Sequence, residues 1–510
     1  MQVRIAVDAP ASVQTGALVV PIFSDGELAG AAAEADAALG GAIADALAAG
    51  EIKGKLAESV FLHAKDRPFK RVLAVGLGES AKFEPYLLAR YAGAAVRALG
   101  RRNIAEIAIA LPAAAKGSEA LCAAFVAEGA IAGSFETTAY QEKPEKKNAV
   151  ESVEVLGAGF DAREVERGVA RGVVLGEAVN FARRLALTPA NDMTPTHLAD
   201  EATTAAREAG LEIEVLDEER ARKEGMGSYL SVARGSAQPP KFIVMTYKGD
   251  PSSKELLALV GKGITFDTGG ISLKPPERME EMKYDMSGGA GVIAAMRAIG
   301  KLRPKINVVG IVPATENMPG SQATKPGDVV RAMNGKTIEI INTDAEGRLI
   351  LCDGLCYAKK LGATKILDTA TLTGACVVAL GHAASAAVGN DETFTAQFLA
   401  AAKPTGERYW QMPYYDDYTT AMKSDIADLK NSGGRAAGTL TAAAFLRAFV
   451  DETPWVHLDI AGTAYLDNES AWQAKGPTGT PVRALVALVD ALASPQAAHA
   501  NGSAASKVKT

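Results

Sequence analysis

The residues whose types and spacing could do chemistry are most concentrated in one stretch, which reads Asn-Thr-Asp-Ala-Glu-Gly-Arg-Leu over Asn342–Leu349. Asp344 and Glu346 are two residues apart, and in an extended or turning segment this spacing points both carboxylates the same way. Two anions aimed at one point repel each other unless a cation lies between them. Arg348 beside them offers a planar fork of N–H donors for a small anion. The stretch therefore predicts a metal site with an anion-binding position next to it.

Further candidate ligands fall at the ends of other predicted elements. A strand that ends at Gly261 would deliver Lys262 and Asp267 to the carboxyl edge of a sheet, where sites on open α/β sheets gather. Asp285 lies just before a glycine-rich helix start, and a strand over 338–341 leads into the first acidic pair. Because each acid follows an element and stands beside residues that allow close backbone approach, we expect the four carboxylates to converge.

The number and type of these ligands indicate which ions they would hold. Four carboxylates suit two divalent ions that share a bridging carboxylate and a bridging water, about 3.5 Å apart, better than one ion with an open position. Lys262 would ligate only as a neutral amine, and a nearby dication lowers its pKa. The oxygen-rich set fits zinc, manganese, magnesium or cobalt and disfavours a soft thiolate site.

The elements that must position these residues indicate an α/β protein, because short apolar runs alternate with helical patterns almost throughout. We expect a smaller N-terminal α/β domain over 1–159 and a linker helix over 160–187. A larger C-terminal catalytic α/β domain over 188–494 should have a central mixed sheet flanked by helices. We expect an exposed loop at 141–148 and a disordered tail over 495–510.

Bulk composition narrows the classes of protein. The chain has 510 residues and a formal net charge of -6, which gives no general electrostatic reason to bind nucleic acid. Four cysteines in so long a chain do not make a disulfide framework, and no secretory signal is visible. The longest nearly uncharged stretch, 372–389, is interpreted as buried core and not as a membrane span. We expect a cytoplasmic protein that does not enter a membrane.

Taken together, these motifs resemble the leucyl aminopeptidases, the cytosolic two-metal exopeptidases that include bacterial aminopeptidase A. Asn342–Leu349 matches the family signature, and four site residues match in order and spacing, as do two later motifs. The resemblance covers the second domain nearly end to end and the linker helix, and it is looser over residues 1–160. The matching residues and motifs are Lys262, Asp267, Lys274, Asp285, Leu367–Ala375 and His457–Gly462.

The resemblance implies a particular division of the metal ligands. One tightly held ion would be bound by Lys262, Asp267, Asp285 and Glu346. A more exchangeable ion would be bound by Asp267, Glu346 and Asp344, the last through both its side chain and its backbone carbonyl. The resemblance implies Mn²⁺ or Zn²⁺, with Mg²⁺ and Co²⁺ as alternatives.

The resemblance also implies a reaction. The chain would release N-terminal amino acids, leucine and other apolar residues by preference, when a water bridging the two metals attacks the first peptide bond. Lys274 would be catalytic and polarise the scissile carbonyl, and Arg348 would hold a bicarbonate ion that acts as general base. Peptides would be the substrates and a homohexamer the assembly. The expected substrate pocket is lined by Met282, Asn342, Thr371, Leu372 and Gly374.

Simpler interpretations stand beside these. Alone, Asp344 and Glu346 would most often be solvated turn acids. Lys274 precedes two prolines and could be a surface lysine, and Arg348 could pair with a carboxylate on its own helix. His457 lies in a predicted buried strand and is interpreted as a core residue.

Two other functions remain as alternatives. Gly76–Ala81 has the pattern G-x-G-x-x-A after a predicted strand, which is typical of dinucleotide binding, but a tight strand-to-helix turn explains it better. A small basic cluster in the first domain would support an additional DNA-binding or scaffold role, and its simpler interpretation is a solvated helix face. The cluster consists of Arg90, Arg97, Arg101 and Arg102.

Overall fold

The structure is a computed structural model that describes residues 1–142 and 149–494. It divides into two compact units, one of residues 1–180 with 466–476, and one of residues 181–465 with the chain from 477 onward. The expected disordered tail over 495–510 lies outside the described residues, as does most of the loop expected at 141–148. Both units combine sheets with helices, which confirms the predicted α/β class.

The N-terminal unit has one six-stranded mixed sheet in the order β1-β6-β5-β2-β4-β3. Only the pairing of β3 with β4 is antiparallel. β2 lies inside the sheet and every residue of its run Ala-Leu-Val-Val-Pro-Ile is buried, as a near-continuous apolar strand should be. The strands are β1 Gln2–Ala6, β2 Ala17–Ile22, β3 Ser59–His63, β4 Arg71–Gly76, β5 Glu106–Ala110 and β6 Ser152–Leu156.

Helices flank this sheet, and their apolar faces form two clusters with it. The last of them, α5, is the long helix predicted to follow the first domain, and its 26 residues begin at Ala162. The helices are α1 Ala31–Ala38, α2 Ala42–Ala48, α3 Leu87–Gly100, α4 Glu119–Gly133 and α5 Ala162–Leu187, with 3-10 turns at Ser80–Lys82 and Ala113–Ala115.

The larger unit is built on a nine-stranded mixed sheet in the order β16-β15-β18-β14-β9-β11-β8-β7, with β10 paired to β11. Two small sheets, β12-β13-β17 and β19-β20, lie outside it. The strands are β7 Glu212–Leu216, β8 Lys241–Lys248, β9 Leu256–Gly261, β10 Gly263–Asp267, β11 Asn307–Asn317, β12 Val329–Arg331, β13 Thr337–Glu339, β14 Lys365–Ala370, β15 Ser385–Gly389, β16 Tyr409–Gln411, β17 Leu429–Lys430, β18 Trp455–Asp459, β19 Tyr465–Leu466 and β20 Gly476–Pro477.

The first helix that lies wholly within this unit begins at Pro195, and the Thr194 hydroxyl caps it by accepting a hydrogen bond from His197 N at 3.2 Å. The helices are α6 Pro195–Ala209, α7 Glu218–Lys223, α8 Gly227–Ala233, α9 Ser287–Leu302, α10 Glu346–Lys360, α11 Gly374–Leu380, α12 Glu392–Ala402, α13 Asp416–Thr420, α14 Gly438–Arg447 and α15 Val482–Ala493, with 3-10 helices at Met279–Tyr284 and Lys403–Thr405.

Four central strands, β11, β9, β14 and β18, run parallel, so their carboxyl ends meet at one edge of the large sheet. β10 pairs in parallel with the last part of β11 and extends this edge. α9 packs closely there, since a Cβ added at Gly288 would lie 2.2 Å from Thr369 O. Glycine at the start of α9 therefore allows the helix to approach β14.

The stretch 372–389 is only partly the buried core that its composition indicates. β15 is buried, but α11 turns outward and leaves the Val378 side chain 89% exposed. Among the described residues, no helix is both long and apolar enough to cross a bilayer.

Candidate metal centre

Four carboxylates, which we call the carboxylate cluster, lie at the carboxyl edge of the large sheet: Asp267, Asp285, Asp344 and Glu346. Asp267 ends β10, Asp285 follows the 3-10 helix before α9, and the other two flank the start of α10. Oxygens of Asp267, Asp344 and Glu346 all lie within 4.8 Å of one another. Glu346 is only 2% exposed and is not a solvated turn acid, whereas the side chain of Asp344 is 34% exposed.

Lys262 lies inside this cluster, directly after β9. Its Nζ is 2.7 Å from Asp285 Oδ2 and 2.7 Å from Glu346 Oε1, and it donates a hydrogen bond to Thr371 O at 3.0 Å. Burial lowers the pKa of Lys262, but the carboxylates of Asp285, Glu346 and Asp267 outweigh burial and raise it overall. Its ammonium form is therefore the stable one as long as no cation replaces its charge.

Lys274 reaches the same cluster from the loop after β10. Its Nζ is 2.8 Å from Asp267 Oδ2 and also contacts the Asp344 carboxylate. Its side chain is 22% exposed, and the neighbouring carboxylates raise its pKa against the opposing effect of burial. The structure thus places Lys274 at the open side of the cluster and not on the free surface.

The charges of this arrangement fit divalent cations. Four carboxylates face two ammonium groups, so two negative charges remain when all six are ionised. Burial raises the pKa of Glu346 to about 8 and that of Asp285 to about 6; the neighbouring Asp267 carboxylate adds to both shifts and Lys262 opposes them. Among the described residues, the buried Glu346 Oε2 has no hydrogen-bond partner. An orphaned carboxylate oxygen inside an acidic, oxygen-rich donor set is typical of a site for hard cations.

The turn that leads into α10 is held by its own first side chain. Asn342 Oδ1 accepts a hydrogen bond from Asp344 N at 2.9 Å, and Ala345 N donates to Asn342 O at 3.2 Å. These bonds turn the backbone so that Asp344 and Glu346 both face the cluster. Asn342 is therefore placed directly beside a candidate ligand.

Arg348 is buried one turn further along, with 7% of its surface exposed. Its Nη1 donates to Asn431 O at 2.9 Å, while its Nε is buried without a hydrogen-bond partner in the described part of the chain. Burial lowers the pKa of Arg348 to about 10, and Glu346 opposes this shift. The guanidinium contacts a carbonyl and not a carboxylate of its own helix, so donor capacity remains for an anion.

The expected pocket residues lie around the same edge. The Thr371 hydroxyl donates to Asp285 Oδ1 at 2.7 Å, Met282 lies three residues before Asp285, and Leu372 is half-buried against the core. Gly374 begins α11, and a Cβ added there would meet no atom within 4 Å. This end of the loop therefore opens onto free space.

Three buried residues hold the site together although no site role was predicted for them from the sequence. Asn317 Nδ2 donates to Asp267 Oδ1 at 2.8 Å, and Asn431 Nδ2 donates to Asn342 O at 2.6 Å. Asp459 accepts hydrogen bonds from Leu372 N at 3.2 Å and from the Thr373 hydroxyl at 2.6 Å. Asn317 and Asp459 each end a strand at this edge, and this position is the sequence signal that could have identified them.

Other candidate residues have structural roles. His457 Nδ1 lies 2.6 Å from Asp368 Oδ1 in a fully buried pair on neighbouring strands, so His457 is the core residue that its strand position indicates. The four cysteines are buried and free. After Gly78, the pattern typical of dinucleotide binding leads only into the 3-10 turn at Ser80–Lys82, not into a long helix.

Comparisons with known proteins match this chain over most of its length. The profile of the cytosol aminopeptidase family, catalytic domain, matches residues 180–486, and the profile of its N-terminal domain matches residues 19–144. A probable cytosol aminopeptidase of Solibacter usitatus is 50% identical over 96% of this chain and 99% of that protein. The one of Geobacter sulfurreducens is 46% identical over 89% and 92%.

Two solved structures have the same fold. A mutant of tomato leucine aminopeptidase superposes with a TM-score of 0.87 at 35% identity, over 96% of each chain. The bottromycin maturation enzyme BotP in complex with Mn has a TM-score of 0.83 at 34% identity, over 94% of this chain and 100% of that one. The chain therefore belongs to the cytosol aminopeptidase family, and it is a metallo-exopeptidase of that family.

Proposed function

We propose that this enzyme removes the first amino acid from peptides, with leucine and other apolar residues preferred, and that it uses two divalent cations to do so. The convergence of four carboxylates and Lys262 on one buried point is the observation that carries the proposal. That BotP was solved in complex with Mn supports manganese as one of the ions.

We assign the ligands as the family resemblance implies. Lys262, Asp267, Asp285 and Glu346 would hold the tighter ion, and Asp267, Glu346 and Asp344 would hold the more exchangeable one. When bound, the ions would supply Lewis acidity and a water acidified towards neutrality. Lys262 must release its proton to act as a ligand, so ion and proton compete for the same nitrogen.

Lys274 and Arg348 would carry out the parts of the reaction that the metal ligands do not. The Lys274 ammonium would donate to the scissile carbonyl and stabilise negative charge as it develops on that oxygen. Arg348 cannot act as a base, because guanidinium stays protonated near neutrality even with its lowered pKa. We propose that Arg348 would hold bicarbonate, an anion that would supply general-base chemistry beside the cluster.

The side-chain preference should be loose. Met282 and Leu372 offer apolar surface, with Asn342, Thr371 and Gly374 completing the pocket. One methylene in such a pocket changes discrimination by only about 1–3 kcal/mol, so several apolar side chains should be accepted.

Leucine p-nitroanilide and its N-acetylated form test the proposal together. An exopeptidase that seats the free α-amine of its substrate should hydrolyse the first with Mn²⁺ and leave the second intact. Hydrolysis of both substrates at similar rates, or undiminished hydrolysis of the first after chelation, would contradict the proposal.

The proposed assembly is a homohexamer in the cytoplasm. The relatives named above are called cytosol aminopeptidases, and the hexamer comes from the family resemblance. Sedimentation equilibrium should give six times the chain mass of 52.9 kDa. A monomer or dimer at micromolar concentration would rule the hexamer out.

The alternative of DNA binding finds little support in the basic cluster of the N-terminal unit. Arg97 and Arg101 both pair with Glu469, at 2.6 and 2.7 Å, and the Arg102 guanidinium stacks over Phe61. We expect no retardation of duplex DNA by micromolar protein at moderate salt in a gel-shift assay.

A further inference from the structure

Three of the four backbone carbonyls in the turn 342–345 are already engaged. Asn431 Nδ2 donates to Asn342 O at 2.6 Å and to Ala345 O at 3.4 Å. Asn317 Nδ2 donates to Thr343 O at 3.1 Å. Two buried asparagines, distant in sequence from the turn, thus bind the carbonyls on both sides of Asp344.

The backbone carbonyl of Asp344 differs from those of its neighbours in its hydrogen bonding. Its own N–H is satisfied by Asn342 Oδ1 at 2.9 Å. Its oxygen, however, accepts no hydrogen bond from any residue in the ranges 1–142 and 149–494. In this turn, only this carbonyl keeps both lone pairs available.

The hydrogen-bond partners determine which terminal atom of the Asn431 and Asn317 side chains is oxygen and which is nitrogen. One terminal atom of Asn431 faces two N–H groups, Ile341 N at 2.8 Å and Asn342 N at 3.2 Å, so it must be the oxygen. Its other terminal atom faces two carbonyls and must be nitrogen. In Asn317, the atom between Asp267 Oδ1 and Thr343 O must be nitrogen for the same reason.

The asparagines are themselves held in place. Asn431 is fully buried, donates its N–H to Glu339 O at 2.9 Å and accepts from Arg348. Asn317 is 4% exposed, and its carbonyl accepts from the Thr268 hydroxyl at 2.8 Å. Neither amide can rotate without breaking several buried hydrogen bonds, so both act as fixed supports for the turn.

We propose that Asn317 and Asn431 are positioning residues that keep the Asp344 carbonyl free as a ligand for the more exchangeable divalent cation. A hard cation takes oxygen ligands, and a preformed carbonyl adds one without adding charge. The inference rests on the proposed two-ion function and adds to it the residues that shape one ligand. Residues behind metal ligands typically change metal affinity by about 10–100-fold when they are replaced.

The test is an Mn²⁺ titration of the chelated full-length protein, with free Mn²⁺ read by electron paramagnetic resonance. Asn431→Asp keeps the size and the oxygen that accepts the two N–H groups, but it sets a carboxylate oxygen against Asn342 O and Ala345 O. Although the added negative charge alone would tighten cation binding, this repulsion should displace the turn whose carbonyls Asn431 holds. We therefore expect the weaker dissociation constant to rise about 10-fold or more, with the tighter ion retained.

Asn307→Asp is the matched control. Asn307 begins β11 at the far end from Asn317, and its amide also holds a turn, accepting from Asp250 N at 3.1 Å and donating to Asp250 O at 2.8 Å. This variant should bind both ions as the wild type does. If Asn431→Asp does not fold, as judged by circular dichroism, Asn431→Ser and Asn317→Ser should show the same selective loss.

The outcomes separate the two claims. Two ions in the wild type and an unchanged weaker constant in a folded Asn431 variant would overturn the role of the asparagines. Equal weakening of both ions would overturn it as well. A wild type that binds a single Mn²⁺ per subunit would overturn the proposed two-ion function itself.

Discussion

The two lysines of the site differ in what surrounds them, and this separates their roles. Lys262 is 3% exposed among Asp285, Glu346 and the Thr371 carbonyl, where a bound cation would replace its charge. Lys274 is more exposed and lies at the open side of the cluster, where we propose that substrate arrives. One amine therefore suits ligation in its neutral form, and the other suits catalysis in its charged form.

Replacing Lys274 by alanine tests this division. The Lys274→Ala variant loses a donor to the scissile carbonyl, and the loss of one such donor costs about 10²–10³-fold in kcat. Removing a cation beside Asp267 and Asp344 should not weaken metal binding, because it removes repulsion between positive charges. We expect kcat for leucine p-nitroanilide to fall and Mn²⁺ content, by elemental analysis, to stay unchanged; loss of metal instead would contradict the catalytic role.

Residue type and position predicted the charged side chains of the cluster but not their supports. Several acidic residues at the ends of neighbouring elements together indicate a shared cation site. An asparagine in a loop is most often a turn residue, and Asn342, one partner of Asn431, lies 89 positions away. Such a role follows from tertiary contacts that no local pattern contains.

At the scale of elements, α10 carries much of the site in its first turn, and its glycines are there for close packing. A Cβ added at Gly347 would lie 2.9 Å from Lys262 Cδ, Cε and Nζ, whereas one at Gly354, on the same helix face, would lie 2.9 Å from Val260 Cγ1. The first glycine makes room for a candidate ligand and the second for a core side chain.

The substitutions Gly347→Ala and Gly354→Ala form a matched pair. Both gain about 1 kcal/mol of intrinsic helix propensity, so neither should unfold the protein for lack of helix. Only Gly347→Ala should displace Lys262 Nζ and weaken Mn²⁺ binding. Melting temperature and Mn²⁺ titration of both variants check this, and equal metal affinity in the two would show that Lys262 does not ligate.

α10 also carries Asp353, which ties it to neighbouring segments. Asp353 is fully buried and accepts hydrogen bonds from Tyr229 N and Met333 N, both at 2.8 Å. Burial raises the pKa of Asp353 to about 7, although these hydrogen bonds oppose the shift. A raised folded pKa means that the folded state binds the proton more tightly than the unfolded state does.

The sign of the pH effect follows from this shift. The stability that Asp353 contributes as a protonated acid is present at low pH and is lost as pH rises from about 4 through about 7. Asp353→Asn cannot ionise, so its unfolding free energy should fall less than that of the wild type between pH 5 and pH 8. Urea unfolding of both proteins at each pH, with metal chelated, gives this difference; parallel pH profiles would contradict it.

The central strands β2, β4 and β9 were predictable, because they are short, mostly apolar runs that are almost entirely buried. Strands such as β7 and β16 were not, since their half-exposed sequences lack a continuous apolar run. The order of strands in the sheet depends on pairings between distant segments. Sequence patterns therefore predict the existence of a strand more reliably than they predict its pairing partners.

At the scale of the whole molecule, the α/β class and the division into a smaller and a larger unit follow from the sequence. No pattern indicates that Leu466–Gly476 joins the compact unit formed by residues 1–180. Within that unit, the Glu469 carboxylate pairs with Arg97 of α3 and with Arg101 directly after it, about 370 positions earlier. Contacts at such separation become visible only in the folded chain.

The central claim is that the carboxylate cluster and Lys262 hold two divalent ions that together carry the hydrolysis. The most direct test titrates the chelated enzyme with Mn²⁺ and follows bound metal per subunit together with leucine p-nitroanilide turnover. The account predicts no turnover without metal and full turnover only when two ions are bound. Full activity in the metal-free enzyme, or an activity that saturates at one bound ion, would contradict it.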